Sequence, residues 1–165
     1  MPHSLLLVPV PELEAPVRAG LLRDAPRYVA RDPLEVHAHV TLLGPFVDLA
    51  ETSERLYEDL AALFAAVRPF DVTYAEVRTF PDGTTYVAPE PEEPFRALTE
   101  ALVARYPDHP PYGGAYDDVV PHLTIGSAAD VAGVLPVTAR AAEARLYWSA
   151  PDAARTLARF PFAVG

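Results

Sequence analysis

Proline is the residue that most constrains what this chain can fold into. The 165 residues include 19 prolines, more than twice the usage of about 5% in ordinary proteins. They are spread along the chain and form no low-complexity tract. Because proline ends helices and is excluded from central strand positions, this spacing predicts many short elements joined by tight turns. No stretch resembles an interdomain linker, so we expect one domain over residues 1–165.

Composition limits the classes of function. Half of the residues are apolar, enough to bury a core. The formal net charge of −10 disfavours a surface that binds long nucleic acids by neutralising phosphates. The chain has no cysteine, which excludes disulfides, zinc–thiolate sites and thiol nucleophiles. No apolar stretch reaches membrane-spanning length and no signal-peptide pattern is visible, so we expect a cytoplasmic protein with no membrane partner.

Apolar periodicity predicts short strands mixed with amphipathic helices. Strands are expected over 4–8, 36–43, 70–80, 84–88 and 119–125, with a closing hairpin of 137–148 and 154–162. Helices are expected over 14–24, 52–67, 92–106 and 128–134. Since helices alternate with antiparallel hairpins, the fold class is α+β. The two halves are alike, because each places a strand that carries histidine near helices and a hairpin.

The two histidine strands share a four-residue pattern of His, apolar, Thr, apolar. Residues 39–42 read His-Val-Thr-Leu and residues 122–125 read His-Leu-Thr-Ile. Alternate residues of a strand face the same side, so each histidine and its threonine share one face while the apolar residues face the core. A single such pattern is usually structural, but two copies among five histidines favour a functional interpretation.

Two histidines and two hydroxyls suit the chemistry of a phosphodiester. In-line displacement at phosphorus needs a base on the incoming nucleophile and an acid on the departing oxygen. One neutral and one protonated imidazole can supply both near pH 7 without a metal. Threonine hydroxyls can donate to the non-bridging oxygens, where negative charge is held through the transition state.

The paired motifs, 83 residues apart, resemble those of the 2H phosphoesterase superfamily. The wider matches, residues 39–46 (HVTLLGPF) and 121–126 (PHLTIG), are similar to its branch of 2′-5′ RNA ligases and RNA 2′,3′-cyclic phosphodiesterases. The resemblance implies two pseudo-symmetric lobes, each a small antiparallel sheet with helices packed outside, around a central groove.

The resemblance also implies an activity and its residues. A 2′,3′-cyclic phosphate would be opened to a 2′-phosphate without metal or other cofactor, and ligation to a 5′-hydroxyl would be the reverse reaction. His39 would be the proton donor and His122 the proton acceptor, with Thr41 and Thr124 holding the phosphate. Some relatives carry an arginine after the second motif, where this chain has Gly126, so that contact is absent or supplied elsewhere.

Four aromatic residues near the motifs are candidates for stacking on a base, with packing in the core or in a lid as the alternative for each. They are Phe46, Tyr86, Tyr112 and Tyr116. The expected substrate is a small nucleotide or an RNA end, bound by a monomer.

Two other functions remain open from the sequence. His37, His39 and His122 would make a three-imidazole set, the ligand count of a catalytic zinc site, and the chain would then be a metal-dependent hydrolase. A non-catalytic module that binds phosphorylated nucleotides is the other alternative, although a pure binder does not need both imidazoles.

Overall fold

The described residues form two antiparallel sheets and four α-helices, with short 3-10 helices between them. The computed structural model describes residues 1–115 and 118–164. The strands are β1 His3–Pro9, β2 His39–Leu43, β3 Phe70–Thr79, β4 Thr85–Glu90, β5 Leu123–Ile125, β6 Val137–Ala141, β7 Glu143–Ser149 and β8 Arg155–Pro161. The helices are α1 Glu14–Asp24, α2 Glu54–Ala65, α3 Glu93–Arg105 and α4 Ala128–Val131.

Each sheet has four strands, and each places its histidine motif on an edge. The strand order is β2-β1-β7-β8 in the first sheet and β5-β4-β3-β6 in the second, and all the pairings are antiparallel. The edge strands β2 and β5 contact each other. The predicted α+β fold with two pseudo-symmetric lobes is thereby confirmed, and the motifs meet where the lobes join.

Strand register shows how closely the lobes correspond. Residues that stand opposite each other on neighbouring strands share a face of the sheet. Each motif threonine lies on an edge strand and is therefore the first of three residues that stand side by side across three strands. The two sets of three are Thr41–Leu7–Arg145 and Thr124–Tyr86–Arg78. The matching positions differ in exposure, since Arg145 is buried and Arg78 is exposed.

The helices form where local sequence and burial agree. Helix α2 is capped by Ser53, whose hydroxyl accepts from the Leu56 N–H (3.1 Å), and it buries Leu60 and Phe64. Helix α3 contacts β2, where the Thr99 hydroxyl donates to the Leu42 carbonyl (2.7 Å). A continuous apolar cluster joins residues of both sheets, which holds the two edge strands in fixed positions. Within the described residues, no helix is long and apolar enough to cross a membrane.

Several predicted elements differ from the structure, and helix α4 ends at Val131 rather than at residue 134. The single strand expected over 137–148 is two strands, because β6 pairs with β3 in the second sheet whereas β7 pairs with β1 in the first. Strand β2 begins at His39 and β5 begins at Leu123, later than expected. The apolar patterns of these regions extend beyond the residues that pair with a neighbouring strand, so apolar periodicity alone misplaces the ends of the strands.

Candidate active site

The two motif histidines are held in the same way. Nδ1 of His39 lies 2.7 Å from the His37 carbonyl oxygen, and Nδ1 of His122 lies 2.7 Å from the Val120 carbonyl oxygen. A carbonyl oxygen can only accept, so each ring carries a proton on Nδ1. Nε2 of each ring then remains to exchange a proton with a ligand.

Groups from both lobes line one small cavity. A cavity of about 220 Å³ is lined by His39 of the first motif and Thr124 of the second. His39 is half-buried, and Thr124 is exposed on its edge strand. The structure therefore brings the two predicted motifs together at the contact between β2 and β5.

Burial and charge both act on His39. Burial lowers the pKa of His39, and a proton on the neighbouring His122 would lower it further, whereas the hydrogen bond to the His37 carbonyl and the charge of Glu14 raise it; the net direction is down. The influence of His122 means that the two imidazoles are close enough for protonation of one to disfavour protonation of the other.

His122 stands among aromatic rings. The rings of Phe80 and Tyr86 meet it edge-on at centroid distances of 5.0 and 5.6 Å, and they stack on each other at 4.1 Å. The Tyr112 ring stacks with the imidazole at 6.5 Å. These contacts limit the rotation of the His122 ring. Tyr86 and Tyr112 were predicted to contact substrate, and the structure shows both in contact with the His122 imidazole.

A second, larger cavity opens beside His122. Its volume is about 470 Å³, and it is lined by Phe80, Pro81, Asp82, Thr84, Tyr112, Asp118, Val119, Val120 and His122. Tyr112 reaches this position with a left-handed backbone (φ 51°), which costs a non-glycine residue on the order of 1–2 kcal/mol. Its N–H donates to the Gly44 carbonyl (2.6 Å), a bond that ties the Tyr112 loop to the end of the first motif strand.

Phe46 lies away from both cavities. It is 7% exposed and packs edge-on against Tyr106 and His109, with centroid distances of 5.2 and 5.1 Å. An apolar ring that follows Gly-Pro at the end of a buried strand is drawn into the core, so the predicted contact of Phe46 with substrate is replaced by packing. Tyr116, also predicted to contact substrate, lies outside the described residues.

His37 is used in a structural network. Its Nε2 accepts from the Ala30 N–H (3.0 Å), so that nitrogen is unprotonated, and its Nδ1 donates to Glu14 Oε2 (2.7 Å). Both ring nitrogens are therefore engaged, and the three-imidazole set considered from the sequence does not form. Among the described residues, no group of three His, Asp or Glu side chains could hold a metal ion.

Gly126 makes room for an ion cluster from helix α1. A Cβ placed there would lie 2.8 Å from Asp24 Oδ2 and 2.9 Å from Arg23 Nη2. Arg23 bonds both Asp24 (2.8 Å) and Asp130 (2.7 Å). Arg23 of α1 therefore lies next to Gly126, the position at which some relatives carry an arginine. Arg23 is already paired with two carboxylates.

Sequence reasoning missed several residues of the site. Phe80, Asp82 and Asp118 line the larger cavity, and Glu14 lies behind His39 through hydrogen bonds to residues 37 and 38. Phe80 ends the β3 pattern next to a Pro-Asp-Gly turn, which could have pointed to it. No local pattern signals Glu14, because its partners lie 23 and 24 residues away.

Comparisons with known proteins agree with this geometry. The chain superposes on E. coli LigT complexed with 3′-AMP with a TM-score of 0.60 and 17% identity, over 99% of this chain and 100% of that one. It superposes on the apo form of E. coli LigT with a TM-score of 0.58 and 19% identity, over 99% of both chains. The protein TT0787 of Thermus thermophilus gives a TM-score of 0.58 and 23% identity, over 98% of this chain and 97% of that one. These similarities establish the fold.

Sequence comparison assigns the family. No curated protein sequence matches the chain significantly. A family model described as the 2′-5′ RNA ligase superfamily matches residues 9–160, a span that contains both histidine motifs. Membership and fold together indicate an enzyme that acts on phosphoesters. The chain belongs to the 2′-5′ RNA ligase superfamily.

Proposed function

We propose that this protein is a metal-independent cyclic phosphodiesterase that opens a 2′,3′-cyclic phosphate, on an RNA end or a small nucleotide, to a 2′-phosphate. The observation that carries the proposal is the convergence of the two motifs. Two imidazoles with the same backbone anchor come from opposite edge strands, and His39 lines one cavity with Thr124.

The reaction balances with these groups alone. Nε2 of His122 takes a proton from water as its oxygen attacks phosphorus. Nε2 of His39 gives a proton to the ribose 3′ oxygen as the bond between phosphorus and that oxygen breaks. The products are a 2′-phosphate and a 3′-hydroxyl, and the two histidines exchange protonation states. Each proton transfer contributes on the order of 10²–10⁴-fold to the rate.

Each motif threonine is expected to face the phosphate beside its histidine, and Thr124 lines the smaller cavity together with His39. Thr41 lies two residues after His39, and Thr124 lies two residues after His122, so each pair shares a strand face. Their hydroxyls hold the non-bridging oxygens of the phosphate, one from each lobe. Donors fixed in place before the reaction stabilise the developing charge without reorganisation.

The larger cavity lies on the side of the proton acceptor. Its aromatic members Phe80 and Tyr112 leave room beside His122 for the incoming nucleophile. Water is the nucleophile on this side in hydrolysis, and a 5′-hydroxyl takes its place when the same cyclic phosphate is opened to form a 2′-5′ linkage. Asp82 lines this cavity, and its negative charge disfavours further phosphates, which fits an RNA end or a small nucleotide bound by one chain.

A panel of 2′,3′-cyclic mononucleotides, incubated with the purified protein, tests the proposal. We expect turnover that persists in chelator and a single product, a nucleoside 2′-phosphate identified by ³¹P NMR. Loss of turnover in chelator with recovery on adding zinc would contradict the metal-free mechanism. Saturable binding without turnover of any cyclic phosphate would show a binding module instead.

A further inference from the structure

The peptide groups that accept from the two motif histidines differ in one respect: the group behind His39 has an N–H, and the group behind His122 has none. The Nδ1 proton of His39 is accepted by the His37–Ala38 peptide group, whose other end, the Ala38 N–H, donates to Glu14 Oε1 (2.9 Å). The Nδ1 proton of His122 is accepted by the peptide group that joins Val120 to proline. Proline has no N–H, so no carboxylate can be linked to His122 in this way.

We infer that Glu14 is a positioning residue for His39 and acts on it through the His37–Ala38 peptide group. The carboxylate holds the amide end of that peptide, and the carbonyl end holds the imidazole. A hydrogen-bonded peptide is polarised along its length, so negative charge at Glu14 strengthens the carbonyl as an acceptor and stabilises protonated His39. The inference rests on the proposed role of His39 as proton donor, since the charge of Glu14 partly offsets the burial that lowers the pKa of His39.

Glu14 is well suited to carry this charge. Its carboxylate accepts from three donors: the His37 N–H (2.6 Å), the Ala38 N–H (2.9 Å) and His37 Nδ1 (2.7 Å). Burial raises the pKa of Glu14, but the hydrogen bonds from His37 and Ala38 outweigh burial, so the net shift is downward. A carboxylate with several N–H donors stays ionised at neutral pH.

His37 completes the arrangement. It is buried, and the Ala30 N–H bond to its Nε2 fixes the tautomer that donates to Glu14. The first histidine of the His-Ala-His sequence therefore holds the carboxylate, and the second is the proposed proton donor.

Other charged groups also face His39. Asp24, at the end of α1, lines the same cavity and is bonded to Arg23 (2.8 Å), and a proton on His122 would oppose protonation of His39. In the second lobe the corresponding helix α3 supplies a cation, Arg96, whose Nη1 donates to the Val119 carbonyl (3.1 Å). Arg96 is itself paired with Asp118 (2.9 Å), so the difference between the lobes is the carboxylate bonded to the peptide group behind His39, where the second lobe has proline.

Histidine NMR titration tests the inference without any substrate. In ¹⁵N-labelled protein, Glu14→Gln is expected to lower the pKa of His39 by about half a unit to one unit and leave the tautomer of His122 unchanged. Glu12→Gln is the matched control, because it removes an equal charge from an exposed site nearby and should not move the His39 pKa. An unchanged His39 pKa in Glu14→Gln would overturn the inference.

A second measurement on the wild-type chain keeps the test decisive if Glu14→Gln does not fold. The amide proton of Ala38 should shift in step with the titration of His39, because both ends of one peptide group are bonded. A flat Ala38 shift through that titration would overturn the inference. Neither readout needs turnover, so a chain that fails to open cyclic phosphates yet shows the coupling refutes the proposed function alone.

Discussion

Replacing Thr124 by valine removes one hydroxyl and almost nothing else. Valine has the same branched shape and suits an edge strand, and Thr124 is exposed, so stability should change by no more than about 0.5 kcal/mol. A hydrogen bond to a charged group is worth about 1.5–3 kcal/mol. If the hydroxyl donates to a phosphate oxygen in the transition state, kcat/KM should fall by about 10- to 150-fold.

The assay is the steady-state opening of a 2′,3′-cyclic mononucleotide, with two matched controls. Thr124→Ser keeps the hydroxyl and should retain most of the activity. Thr85→Val makes the same change on the neighbouring strand, at a residue opposite Ile125 rather than beside Thr124, and should have no effect. The reasoning is refuted if Thr124→Val stays within about twofold of wild type while its fold is intact.

Three further predictions rest on the same geometry. The pKa of His39 is lowered in the folded chain, so as pH falls below about 6.5 the unfolded chain binds a proton that the folded chain does not. The free energy of unfolding should then drop by up to about 1.4 kcal/mol per pH unit until the pKa of folded His39 is passed. Urea titrations of His39→Gln should show a smaller drop. Leu123, fully buried between His122 and Thr124, should cost about 2–5 kcal/mol when replaced by alanine, and chemical denaturation that shows no loss would contradict the assigned strand face. Phe80→Leu removes the ring stacked on Tyr86 and edge-on to His122, so kcat should fall roughly 2- to 12-fold, and a kcat equal to wild type would show that the aromatic cluster does not position the imidazole.

Much of the fold and the centre of the site could be predicted from local patterns. The bounds of α1 were predicted to the residue, and the structure places His39 of the first motif and Thr124 of the second around one cavity. Strand alternation and helical periodicity depend on residues close together in the chain, so both can be recognised in a single sequence. The motif spacing also predicts that each histidine and its threonine lie on the same side of the strand, because residues two apart share a strand face.

The parts that could not be predicted depend on distant partners. Residues 137–148 form two strands because β6 and β7 pair with strands of different sheets, a choice that the alternation of apolar residues does not encode. Phe46 packs with Tyr106 and His109, 60 or more residues away along the chain. Glu14 meets His37 only after the chain folds back from α1 to β2.

The central claim is that His39 and His122 act together as acid and base, and a double-mutant series tests it most directly. His39→Asn, His122→Asn and the double variant are assayed on a 2′,3′-cyclic mononucleotide, with circular dichroism to verify folding. Groups that act as a unit are not additive, so each single variant should lose on the order of 10²–10⁴-fold and the double variant little more. Near wild-type turnover in either single variant, or losses that multiply in the double variant, would contradict the mechanism.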